Sequence, residues 1–152
     1  MKRTLALVSA IAAAAGIVAT VNSATLRSGT LHVTKECPPS QYLGRAGDFC
    51  TITSSNIDVI KPGSRIFYAS AIGDPTPGML DSDLVIDGPG NNTAFGHVWL
   101  NVSTIPFTGR VTLSGGTGVF AHFHAELIRV ACPDFPVCTW DGSYSFSPPT
   151  SG

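Results

Sequence analysis

Residues 119–131 read Val-Phe-Ala-His-Phe-His-Ala-Glu-Leu-Ile-Arg-Val-Ala. Successive side chains of an extended chain point to opposite faces, so Phe123, Ala125 and Leu127 share one side. His122, His124 and Glu126 share the other. Residues 97–102 repeat the pattern, with Val98, Leu100 and Val102 opposed to His97, Trp99 and Asn101. A half-buried antiparallel sheet requires this period of two, and a helix does not.

Working outward, the chain beyond residue 24 consists of short alternations of this kind. Strands are expected near 25–34, 49–54, 56–60, 64–72, 82–87, 95–103, 108–114, 119–131 and 138–147. Between them lie Lys61-Pro62-Gly63, Gly73-Asp74-Pro75-Thr76-Pro77-Gly78, Gly88-Pro89-Gly90-Asn91-Asn92 and Ser114-Gly115-Gly116-Thr117-Gly118, all rich in turn-forming residues. No helical apolar period extends beyond about two turns after residue 24. Eight or so strands with short connections fit a closed barrel or a sandwich; closure would remove the exposed edges.

The first residues carry a different signal. Met1-Lys2-Arg3 is a short positive start, Leu5 to Val21 is almost entirely apolar, and Val21-Asn22-Ser23 places small residues at its end. This pattern predicts a signal peptide over 1–23 and one mature domain over 24–152, secreted to an extracellular or periplasmic space. The Ala-rich run is short for a permanent membrane span. Without Lys2 and Arg3, seven basic residues face ten acidic ones, a formal charge of −3. No basic stripe is present to displace counterions from phosphates, which argues against a nucleic-acid partner.

Cys37, Cys50, Cys132 and Cys138 are the four cysteines. Four thiols allow three pairings; proximity favours Cys37 with Cys50 and Cys132 with Cys138. No Cys-x-x-Cys spacing suggests zinc, and exported thiols tend to oxidise.

Several patterns bear on chemistry. His122, His124 and Glu126 on one strand face could begin a metal site, but alternation alone also puts polar residues there. Asp81, Asp83 and Asp87 do not meet the ligand spacing of a calcium loop and read as turn caps. Gly115-Gly116-Thr117-Gly118 lacks the Lys-Ser/Thr of a phosphate loop, and no Gly-x-Ser-x-Gly elbow occurs. Asn91-Asn92-Thr93 and Asn101-Val102-Ser103 are glycosylation sequons, meaningful where the source modifies exported proteins. Tyr68, whose neighbours Ala69 and Ala71 are small, fits two readings equally: a hydroxyl placed in a cavity, or a core tyrosine with its hydroxyl at the rim.

The stretch Ser114-Gly-Gly-Thr-Gly-Val-Phe-Ala-His-Phe-His-Ala125 resembles the allene oxide cyclase and dirigent barrel superfamily, whose members carry a Gly-Gly-Ser/Thr-Gly-x-Phe turn into a long strand. Gly96-His97-Val98 is similar to a Gly-His step in that superfamily, and Trp140-Asp-Gly-Ser-Tyr-Ser-Phe146 to its closing strand. The useful pattern covers 82–147 and is nearest to the small exported bacterial proteins of the allene-oxide-cyclase-like group. The resemblance implies an all-β, eight-stranded antiparallel barrel whose lumen holds a small hydrophobic ligand. It also implies control of cyclisation or coupling by shape, without a cofactor. The catalytic acids of the superfamily have no residue-by-residue match in this chain.

On this reading Tyr68 and His97 would be the polar groups of the lumen, with Trp99 as an apolar wall; His97 and Trp99 should enter or leave the lumen together. Three other classes compete: a carrier without turnover, a structural barrel with a filled lumen, and a metal-dependent enzyme using His122, His124 and Glu126. Lumen volume discriminates among them. A cavity of about 300 Å³ or more with convergent polar groups favours ligand chemistry, and a filled lumen excludes it. The oligomeric state is not legible in the sequence.

Overall fold

The computed structural model describes residues 27–147; the expected signal peptide, residues 1–23, lies outside them. Eight strands run in chain order around a closed antiparallel barrel: β1 (Ser28–Glu36), β2 (Phe49–Ser55), β3 (Arg65–Tyr68), β4 (Met79–Gly88), β5 (Asn92–Asn101), β6 (Thr108–Gly116), β7 (Phe123–Asp134) and β8 (Val137–Phe146). Closure rests on β1 against β8, in register from Ser28 opposite Ser145 to Glu36 opposite Val137. That pairing satisfies both edges of the sheet at once.

The alternations select the interior. Leu31 and Val33 of β1, Ile52 of β2, Ile66 of β3, Leu84 and Ile86 of β4, Val98 and Leu100 of β5, Val111 and Leu113 of β6 and Leu127 of β7 are all buried. Four register shifts adjust the phase, one of them between Ala131 and Asp134 where β7 turns into β8. In β7 the register against β8 shifts between Leu127 and Arg129, so Ile128 and Arg129 both face outward and Val130 returns to the core. Against β2, β1 shifts between Thr34 and Lys35, and β5 shifts against β6 between Ala94 and Gly96. Such insertions bend a strand and re-aim the side chains beside them.

Antiparallel order sends the β1–β2, β3–β4, β5–β6 and β7–β8 connections to one end, called here the mouth. Both cysteine pairs are bonded there, Cys37–Cys50 and Cys132–Cys138. The backbone N–H of Cys37 donates to the Pro136 carbonyl at 2.8 Å, joining the first and last mouth loops.

The opposite end is plugged. Ile60 of the β2–β3 loop and Phe120 of a single 3₁₀ turn (Gly118–Phe120) are both buried. Phe123, Tyr144 and Phe146 continue the aromatic cluster, with Phe120 and Phe123 ring centroids 5.6 Å apart. The Gly-rich motif builds this plug. A Cβ on Gly116 would lie 1.9 Å from the Thr93 carbonyl oxygen, so only glycine lets β6 approach β5 here. Gly118 has φ +58°, and the Val119 N–H donates to Asn92 Oδ1 at 2.9 Å.

Three expected elements differ, the first being the strand over 64–72, which ends at Tyr68 as residues 69–72 turn into the β3–β4 loop. Residues 56–60 form a turn rather than a ninth strand; Ile60 is buried as part of the plug, which accounts for its apolar character. The strand expected over 119–131 begins at Phe123, because the 3₁₀ turn and a left-handed His122 (φ 63°) precede it.

Candidate functional site

One side chain in the barrel interior breaks the apolar pattern. Lys35 follows Leu31 and Val33 on the inward phase of β1 and is only 6% exposed. The β1–β2 bulge falls at this residue. Its Nζ donates to Tyr68 Oη at 2.5 Å and stands 4.3 Å from the centre of the Trp140 ring. Among the described residues no carboxylate pairs with it; the only ion pairs there involve His32 and His97. A charged ammonium without a counterion is poorly tolerated in such a place. Burial accordingly lowers the Lys35 pKa to about 7.

Lys35 stands at the wall of a cavity of about 120 Å³ under the mouth. Leu80, Val98, Leu100, Val130, Phe107 and both disulfides contribute apolar walls, and the partly exposed Ile72 and Phe135 carry the lining to the surface. Lys35, Tyr42, Tyr68 and Trp140 are the only lining residues whose side chains carry nitrogen or oxygen. Trp140 Nε1 is buried and has no hydrogen-bond partner among the described residues. Buried indole N–H groups usually find one. The void is smaller than the roughly 300 Å³ expected of a ligand-enclosing lumen, and it is not filled by side chains.

The surrounding loops fix the tyrosines. Tyr68 ends β3, where its N–H donates to the Asp48 carbonyl at 3.1 Å and its carbonyl accepts from Gly47 N–H at 2.7 Å. Tyr42 packs edge-on against Tyr68, with centroids 5.3 Å apart. The Asp48 carboxylate accepts N–H bonds from Leu43 at 2.6 Å and Arg45 at 2.9 Å, ordering the β1–β2 loop; backbone hydrogen bonds to Arg45 and Leu43 lower its pKa. Burial, with the Asp48 charge second, raises the Tyr42 pKa to about 12. Burial, with Tyr42 second, also holds the Tyr68 phenol well above its ordinary value. The cavity thus contains a weakly basic amine beside two phenols that keep their protons.

Of the residues expected in the lumen, Tyr68 is there and His97 and Trp99 are not. Val98 and Leu100 occupy the inward phase of β5, so alternation turns both neighbours out together; Trp99 is 49% exposed. His97 lies on the outer wall, with Nε2 3.0 Å from Asp81 and Nδ1 2.9 Å from Asp83. This also corrects the reading of those aspartates as turn caps: both lie within β4. His124 and Glu126 are exposed on β7, and His122 precedes the strand, so the three do not form one strand face. Among the described residues no group of three or more His, Cys, Asp or Glu side chains is placed to hold a metal ion.

Lys35 escaped the sequence reading because the first strand was ended at residue 34. Continued in phase, Leu31, Val33, Lys35 and Cys37 form one set, in which the lysine is the exception. Comparison of the chain with protein-family models, with curated proteins and with solved structures gives no match.

Proposed function

We propose that this is an exported barrel that binds a small, largely apolar molecule in the mouth cavity, with one oxygen of the ligand directed at Lys35 and Tyr68. The observation that carries the reading is a buried lysine with no counterion among the described residues, lining an unfilled apolar void. A structural barrel gains nothing from such a lysine, since burying it opposes folding. A void of about 120 Å³ is comparable to the engineered cavity of about 150 Å³ that holds benzene. The part of the ligand it encloses therefore has about six heavy atoms, with any longer tail leaving through the mouth. Two disulfides and the apolar leader expected over 1–23 support export.

Turnover is a second reading. A neutral amine and a protonated phenol touching one void can take up and return a proton without a cofactor. This would suit the cyclase, isomerase or dirigent-like chemistry implied by the family resemblance. The closed eight-stranded barrel supports that resemblance at the level of fold, and fold does not specify a reaction.

Fluorescence of Trp140 tests binding directly in a Trp99→Phe background, which leaves it as the sole tryptophan. Titration with 1-hexanol should give a saturable change, lost in Val102→Phe, which narrows the cavity entrance. If neither 1-hexanol nor cyclohexanol gives a saturable response, the binding reading is wrong.

A further inference from the structure

We propose that Lys35 is a covalent capture site for small apolar aldehydes and ketones, joining them to the barrel through an imine at Nζ. This rests on the binding reading above and specifies its ligand class. The geometry supplies each requirement separately. Lys35 lines the void, and among the described residues no carboxylate pairs with its Nζ. Tyr68 Oη lies within hydrogen-bond distance of Nζ, where a phenol can pass a proton between nitrogen and a departing oxygen. Apart from the Tyr42 phenol and the Trp140 indole, the remaining walls are hydrocarbon or disulfide, which favours an apolar substituent.

The reaction balances without a redox partner. The Nζ lone pair attacks the carbonyl carbon, a C–N bond forms, and the C=O π pair moves to oxygen. Tyr68 hands that oxygen a proton and recovers one from the nitrogen, giving a carbinolamine. A second proton transfer through the phenol lets the C–O bond break, and the oxygen leaves as water. The nitrogen lone pair then completes the C=N bond, and the last N–H proton returns to the Tyr68 oxygen, restoring the phenol. Overall, one amine and one carbonyl compound give one imine and one water. Only the unprotonated amine can begin this sequence, and desolvation in an apolar pocket is a recognised way to obtain one near neutral pH. The Lys35 pKa of about 7 leaves a large fraction of it unprotonated.

The chain provides its own comparison. Beyond residue 23 it has only two lysines, Lys35 and Lys61, and Lys61 is exposed in the β2–β3 loop. The disulfide-intact protein is incubated with hexanal and sodium cyanoborohydride at pH 7.5, and the trapped adducts are mapped by peptide mass spectrometry. Each adduct adds the mass of hexanal less one oxygen atom. Lys35 should be labelled at least tenfold faster than Lys61, and 1-hexanol, with the same tail and no carbonyl, should slow labelling at Lys35 alone. Lys35→Met should lose the fast adduct, whereas Lys61→Arg, altered only in the exposed β2–β3 loop, should keep both saturable 1-hexanol binding and the fast adduct at Lys35. Labelling of Lys35 no faster than Lys61, with 1-hexanol binding intact, would overturn the capture site and leave the binding reading standing. Absence of both 1-hexanol binding and fast labelling would overturn both.

Discussion

Lys35 and Tyr68 sit on β1 and β3, strands that do not pair, and meet inside the barrel with Nζ 2.5 Å from Oη. No other oxygen of the described residues accepts a hydrogen bond from this amine. Tyr68→Phe should therefore cost about 1–3 kcal/mol at pH 7, the range for leaving a buried polar group without its partner. The loss should be smaller at pH 9.5, where the folded lysine is neutral and easier to bury. Urea denaturation of both proteins at the two pH values measures the difference.

The same lysine should make stability rise with pH. In the unfolded chain its proton stays on up to about pH 10.5, and in the folded barrel only up to about 7. Within that window unfolding takes up a proton, so alkali favours the folded form. Below pH 7 both states are protonated and the burial penalty is present in full. The phenols act oppositely. Tyr42, raised from 10 to about 12, and Tyr68, also raised by burial, keep protons that the unfolded chain releases, so stability falls again above pH 10. A gain on the order of 2–3 kcal/mol between pH 7 and 9.5 is expected from one lysine proton. Lys35→Met should flatten that rise; an equal rise in the variant would assign it elsewhere.

Much of this was legible in the sequence. The alternation groups Val98 with Leu100 and His97 with Trp99 without saying which pair turns inward, and Tyr68 stands out beside its small neighbours. Local alternation does not say how far a strand runs or where a bulge resets its phase. Lys35 lay one residue beyond the expected end of β1, and His122 was read through a turn into β7. Ile57 and Val59 alternate like strand residues but lie in a turn. Closure by β1 and β8 joins residues more than a hundred positions apart, a relationship that no local pattern contains. His97 and Trp99 posed a different difficulty. The sequence assigned them one face, and the choice of inside or outside depended on whether their Val98 and Leu100 neighbours filled the core.

That choice has a measurable consequence. Since His97 and Trp99 face away from the cavity, His97→Ala and Trp99→Phe should each leave 1-hexanol affinity within about twofold of wild type. The His97 pairs with Asp81 and Asp83 are exposed, so His97→Ala should cost at most about 1 kcal/mol of stability. A tenfold loss of affinity in either variant would mean that the ligand binds on the outer wall.

The Gly-rich turn allows a sharper test of the fold. A methyl group on Gly116 would meet the Thr93 carbonyl oxygen at 1.9 Å and lie 2.9 Å from both Ala94 Cα and Phe120 Cβ. Two of those three atoms are backbone of β5, and they cannot retreat without parting β5 from β6. The third belongs to the residue that plugs this end of the barrel. Gly116→Ala should therefore cost about 3 kcal/mol, the upper part of the usual range for overpacking. Ser114→Ala, exposed on the same strand, should stay within about 0.5 kcal/mol. If thermal and urea denaturation place the two variants at equal stability, the close approach of β5 and β6 is not what requires glycine at this position.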